Sequence, residues 1–391
     1  MRLKNGIKWI TCVAMSIVLL EGITTTSYAA VDGAAPPIEG DVNDAGEGNG
    51  VTGVFEKDDF DTPEEYAKYL EEHPEEQIQT YAATANKNVN ASAKLHYKIN
   101  MQNFSVKTAI QRAYIGSTYV YITQRKNEDT YITRCTINGN ELKKKDGMHL
   151  TNFAHSQTLE WFEHNGKDYF WVGCKPNVNW PDIDWATQVG RIQYTAGTTI
   201  SNYTKICRLS HLSYANKAGS SFGAIKRSDS ALSSDRAKML LWVEDNTGEV
   251  QYSYYNMSKI NAALDKVESA SSKSVEMDSS AIKSACYGSF RQSKSNKVAP
   301  NGSNQGVEFT DADSVYIIGG KSDDKPIISK LTGSGSSYKY STQCTVTNTA
   351  LIKDAEPEGI QLKGDYIYFG ISKPSCKATE QYIYRIPKSA F

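Results

Sequence analysis

After residue 30, no stretch of this 391-residue chain is apolar enough to span a bilayer. There is no C-x-x-C pair, no H-E-x-x-H helix, no G-x-S-x-G elbow and no glycine-rich phosphate loop. Those absences remove the usual signatures of zinc sites, serine hydrolases and nucleotide binders. Histidine is sparse: His73, His96, His149, His155, His164 and His211 are scattered, with no metal-ligand spacing among them. No cofactor, no metal and no catalytic residue is therefore assigned, and covalent catalysis is not expected. Helical periodicity is also rare. In the C-terminal three quarters only "YNMSKINAALDKV" shows it, with Ser258 as the expected cap and Ile260, Ala263, Leu264 and Val267 on one face.

The formal net charge of -1 hides an asymmetry. Residues 31–80 carry fifteen acidic and two basic side chains, and residues 81–391 carry a net +10. Before the acidic arm come Arg2, Lys4 and Lys8, an apolar run from Trp9 to Leu20, and small residues at Ser27 and Ala29. That order reads as a secretory signal peptide over 1–29, so the mature product is expected to be secreted and extracellular. Residues 30–94 read as a disordered acidic arm and linker, or a pro-segment. It holds one short helix capped at Thr62 and stopped by His73-Pro74. Cys12 leaves with the signal. The other six cysteines permit disulfides in an exported chain, or serve as small buried hydrophobes.

From residue 95 the texture is β, rich in tyrosine, threonine, valine and isoleucine between turn residues. "QGVEFTDADSVYIIGG" (305–320) reads as two strands, and its plan recurs. Copies begin at Gln111, Gln157, Phe222 and Glu358, each running into a near-continuous apolar strand such as Tyr119–Ile122 or Tyr366–Phe369. A further strand follows each copy, and four of these carry Arg134, Arg191, Lys330 or Arg385. About 55 residues per unit suits propeller blades with insertions. The fold expected for 95–391 is all-β, a five-bladed β-propeller, with six blades or a β-sandwich as alternatives. A strand flanked by blades on both sides loses the alternation of a half-exposed sheet.

The first polar position of the copies supplies the candidate binding site. Gln111, Gln157, Gln305 and Glu358 would sit where inner strands begin, and would converge on one mouth of the central channel. They would bind a ligand there, or hydrogen-bond neighbouring blades and lock the ring. Glu160 and Glu308 hold equivalent places in two copies and would support glycoside hydrolysis if paired on the axis. Tyr114, Ile225 and Gln361 fill that place elsewhere, which favours a structural role. A basic body is drawn to anionic surfaces. In an exported protein those are the wall polymers and membrane of a bacterial envelope, and nucleic acid is not expected as a partner.

Four blocks, in order, resemble the helveticin J family of large class III bacteriocins. "AHSQTLEW" is similar to H-T-Q-T-W-E-F. "WVGCKPN" with "WATQVGRIQY" is similar to F-I-G-V-K-P with W-A-K-Q-I-A-R. "RLSHLSYANKAGS" is similar to R-L-S-Y-L-N-R-A-G-S, and "YSYYNMSKINAALD" to I-Y-N-L-D-T-I-N-E-K-L-D. The resemblance covers roughly 109–265. It implies a secreted antibacterial protein that binds the envelope of related Gram-positive bacteria and kills them. A lectin-like wall-binding module and a wall glycosidase are the alternatives. Two departures stand out: residues 1–94 have no counterpart in the family pattern, and Cys174 replaces a valine. The resemblance supplies no catalytic motif.

Overall fold

A computed structural model of the chain describes residues 86–391, apart from 182, 336–338 and 349–353. The expected signal peptide, most of the acidic arm and the short helix expected within it lie outside the described residues. The chain enters with β1 (Lys87–Ala91) and β2 (Lys94–Asn100), whose partners come much later. Blade 1 is β3 (Ile110–Ile115), β4 (Tyr119–Lys126), β5 (Asp129–Asn138) and β6 (Glu141–Leu150). Blade 2 follows with β7 (Leu159–His164), β8 (Lys167–Pro176) and β9 (Ala186–Ile192). The short β10 (Thr199–Ile200) returns to β6, and β11 (Cys207–Ser210) rejoins blade 2.

Blade 3 opens with β12 (Ile225–Leu232), β13 (Lys238–Asp245) and β14 (Val250–Asn256). The helix Met257–Asp265 comes next. Then β15 (Ser274–Glu276) adds to the edge of blade 2, and after the helix Ser280–Ala285, β16 (Cys286–Gln292) completes blade 3. The long interval before Gln305 thus holds an insertion, and the described residues form five blades. Blade 4 is β17 (Gly306–Phe309), β18 (Val315–Gly319), β19 (Ile327–Leu331) and β20 (Thr342–Val346), with β1 parallel to β20 at its edge. Blade 5 is β21 (Glu356–Lys363), β22 (Tyr366–Ser372) and β23 (Glu380–Pro387), completed by β2.

The inner strands meet in a cycle: β3 touches β7, β7 touches β12, β12 touches β17, β17 touches β21, and β21 touches β3. A closed ring of five inner strands is a β-propeller and excludes the sandwich. Because β2 comes from the start of the described residues and pairs with β23, the two ends of the ring sequence fasten the ring. It also pairs in parallel with β6, so blades 5 and 1 join at their outer edges into one larger sheet. The folded region therefore starts before residue 95: the segment read as linker supplies β1.

The core lies between blades. Each neighbouring pair shares one buried apolar cluster. In β13, Met239, Leu241 and Val243 feed the cluster shared with blade 2, whereas Leu240 and Trp242 feed the one shared with blade 4. In β18, Val315 and Ile317 face blade 3, and Tyr316 and Ile318 face blade 5. Both faces of these two strands are covered, so both sets of alternate residues are apolar. The predicted helix is present, with one change. Its N-cap is Asn256, whose side chain accepts from the Lys259 amide, and not Ser258. None of the six cysteines from Cys135 onward is bridged. Among the described residues, no helix is long and apolar enough to cross a membrane.

Candidate functional site

At one end of the channel, where the inner strands begin, lies a cavity of about 430 Å³. Its volume falls in the range of small-ligand sites, which run from roughly 300 to 1,000 Å³. Three of the four residues singled out in the sequence line it: Gln111, Gln305 and Glu358. The fourth, Gln157, ties the lining together. Its Nε2 donates to Gln111 Oε1 and to Gln305 Oε1, each at 3.4 Å, and its Oε1 accepts from Arg227 Nη2 at 3.2 Å. Gln305 Nε2 donates to Glu356 Oε1 at 2.9 Å. All five blades are therefore linked through side chains at this mouth.

Local backbone irregularity aims these groups. The pairing of β3 with β4 skips Gln111, that of β12 with β13 skips Lys226, and that of β21 with β22 skips Gly359. Each is a β-bulge, which turns a strand end and redirects its side chains. At Gly359 the bulge requires glycine. Its φ is +63°, and a Cβ there would stand 2.8 Å from Gln111 O and 2.9 Å from Arg112 Cα. Backbone on both sides leaves no room for a side chain, and the Gly359 amide donates to Gln305 O at 2.7 Å.

Blade 3 contributes Arg227, which the sequence reading missed because it began that copy at Phe222, ahead of β12. Arg227 Nη2 donates to Asp229 Oδ2 at 2.8 Å and Nη1 donates to Asn304 O at 3.2 Å. Its guanidinium lies 4.0 Å from the Trp185 ring centre. His155 stacks on the same ring at 4.2 Å and 10°. His155 Nε2 bonds Gln111 Oε1, an acceptor, and lies 3.4 Å from Gln157 Nε2; the closer contact assigns the proton to Nε2 and leaves Nδ1 as an acceptor. Burial, reinforced by Arg227 and Arg125, holds its pKa well below the ordinary histidine value, so the ring is neutral. Trp185, His155, Asn304 and Glu356 also escaped the sequence reading. His155 and Gln157 share the block "AHSQTLEW", and Trp185 opens "WATQVGRIQY".

The acids of the cavity differ in state. Burial and the neighbouring Glu356 push Glu358 well above the usual carboxyl range. Burial also raises Glu356. Burial alone would raise Glu244 too, but Lys297, Arg227 and Lys226 hold it below that range. Glu160 and Glu308 are absent from the lining. They are buried further along the inner strands, where Arg112 Nη2 donates to both carboxylates. Both are structural residues of the channel wall. As for metal ligands, His211, Glu276 and Asp278 bring one atom each within 4.8 Å of one another, outside the cavity and largely exposed.

The family model for bacteriocin helveticin-J matches residues 86–387. The chain belongs to that family. Among curated proteins, bacteriocin helveticin-J of Lactobacillus helveticus is 26% identical over 233 residues, covering 56% of this chain and 67% of that protein. Solved structures also align with this member of the helveticin-J family. The GH43 endo-arabinanase from Bacillus licheniformis aligns with a TM-score of 0.38 at 9% identity, covering 74% of this chain and 95% of that one. The Dos1 propeller aligns with a TM-score of 0.32 at 8% identity, covering 67% of this chain and 54% of that one. The family match begins at residue 86, beside β1, and ends at 387, the last residue of β23. It therefore spans the whole ring and leaves the acidic arm outside.

Proposed function

We propose that this helveticin-J family member is a secreted antibacterial protein that binds the envelope of Gram-positive bacteria through the channel-mouth cavity and then kills the cell. The observation that carries the reading is the cavity itself, a concave site to which every blade contributes a side chain. Family membership supplies the antibacterial class. The basic folded region, net +10 over 81–391, favours approach to an anionic envelope. The signal-like N-terminus supports export. Non-covalent action is favoured because Glu160 and Glu308, the acids first weighed for hydrolysis, are buried against Arg112 away from the cavity.

The test adds residues 30–391 to live Gram-positive indicator cells and to isolated walls, following survivors, membrane potential and released reducing sugar. Killing with depolarisation and no released sugar is expected. Survival of every indicator strain overturns the proposal, and wall binding without killing reduces the protein to a lectin-like module.

A further inference from the structure

Five residues that line the cavity carry a buried polar atom with no protein partner: Glu358 Oε2, His155 Nδ1, Asn304 Nδ2, Arg227 Nε and Trp242 Nε1. Unpaired buried polar atoms are costly, and five of the fourteen among the described residues belong to this one lining, which marks it as a place built for something else to occupy. A single structural water, with its share of about 30 Å³, is far smaller than the space.

The charge balance narrows the occupant. The three lining cations face three acids: Arg227 is paired with Asp229 at 2.8 Å, Lys297 and Lys226 share Glu244 at 2.8 and 3.4 Å, and Glu356 lines the same cavity. No cation is in excess to hold a phosphate or carboxylate. Glu356 and Glu358 would repel an anion once ionised, and the three cations oppose a cationic ligand. Glu358 is 4% exposed. As a neutral carboxyl it both donates and accepts, His155 Nδ1 accepts, and Asn304 Nδ2 and Arg227 Nε donate. Hydroxyl groups are the ligand chemistry that answers such a mixture without adding charge. Trp185, Trp242 and Ile183 supply apolar wall for C–H surface. We infer that the cavity takes a neutral hexopyranose unit of a wall glycan, with Glu358 hydrogen-bonding one of its hydroxyls. This rests on the reading above that the cavity is the receptor site. Long-range attraction to the anionic envelope and short-range recognition would then be separate: charge brings the protein in, and an uncharged sugar is what it reads.

The experiment titrates residues 30–391 with methyl glycosides of glucose, galactose, rhamnose and N-acetylglucosamine, and with wall polysaccharide freed of phosphate by hydrofluoric acid. Glycerol phosphate and ethanolamine serve as charged controls. Tryptophan fluorescence and calorimetry report binding, and each ligand is also tested as a competitor of killing. At least one neutral ligand should bind saturably and protect the indicator cells. Glu358→Leu should weaken it about tenfold through the lost hydrogen bond, whereas Glu358→Gln, which keeps a donor and an acceptor, should stay within about threefold. The inference is overturned if only a charged control binds, if no neutral ligand binds, or if Glu358→Leu binds like the parent. A parent protein that kills but binds no neutral ligand sinks this inference alone. One that binds a glycoside but kills nothing sinks only the bactericidal reading.

Discussion

Arg112 and Glu308 stand on blades 1 and 4, which are not neighbours, yet the Arg112 guanidinium donates to the Glu308 carboxylate from across the channel. The same nitrogen donates to Glu160 of blade 2, and Arg112 Nη1 donates to Val307 O at 3.1 Å. One buried cation thus holds three inner strands. Burial and Glu160 together outweigh Arg112 and Arg236 and keep the Glu308 pKa well above the usual range, so the cluster is short of positive charge even with Arg112 present.

Removing that cation should be expensive. Arg112→Met leaves two carboxyls facing each other in the interior, and breaking a buried pair from one side typically costs about 3–5 kcal/mol. Urea melts of Arg112→Met should show a loss of that order. The triple variant Arg112→Met with Glu160→Gln and Glu308→Gln should regain much of it, because no buried carboxylate is left unpaired and Arg236, which loses Glu160 at 3.6 Å, is partly exposed.

Glu358 makes a pH prediction of definite sign. Its folded pKa lies above its unfolded value, so the folded state holds the proton over a window where the unfolded chain has released it. Its stabilising contribution is fully present below the unfolded pKa of about 4.3 and is lost as pH rises through the folded value. Glu358→Gln is neutral at all pH. It should melt at a higher temperature than the parent at pH 8, and the gap should narrow at pH 5. An equal gap at both pH values would mean that burial does not raise the Glu358 pKa above its unfolded value.

Much of the ring was legible because it rests on local signals. The apolar strands are continuous, since alternate residues of β13 and β18 serve different neighbours, and turn residues mark each hairpin. Four inner-strand starts carry Gln or Glu, so the channel mouth could be placed from repeats alone. Other parts were hidden for physical reasons. Arg227 stands where the other copies carry Gln or Glu, and the copy of blade 3 read from the sequence begins at Phe222, ahead of β12. Trp185 and Asn304 reach the cavity from segments outside the repeated hairpins. The pairing of β1 and β2 with strands near the other end of the chain has no local signal, since "KNVNA" and "KLHYKIN" read as linker or strand until a partner edge is found.

The cysteines behave as apolar side chains. Five are buried, and burial pushes Cys135 and Cys174 up to about 12 and Cys286 and Cys344 up to about 11. Thiolate is the reactive form, so these four should be inert in the native state. Cys376 is half-buried. Ellman's reagent at pH 8 should label Cys376 far faster than the others, which should react only on denaturation. Dithiothreitol should leave the melting temperature unchanged, and a drop on reduction would show that a bridge forms.

The last prediction concerns closure. In blade 5, β2 runs antiparallel to β23 from Lys94↔Arg385 to Asn100↔Glu380, and its far edge meets β6 at Lys98↔Glu141. Ile99 from this strand is fully buried in the cluster between blades 5 and 1. Deleting residues up to 101 exposes the edges of β23, β6 and β20 together, and bare edges invite pairing between molecules. Starting at residue 95 removes β1 and leaves most of β2, so it exposes the β20 edge alone. Compared with 86–391, the 95–391 chain should melt lower yet remain a ring, whereas 102–391 should aggregate or fail to fold. Gel filtration with thermal melts of the three chains decides it. If 102–391 is a monomer as stable as 86–391, β2 is not the strand that fastens the ring.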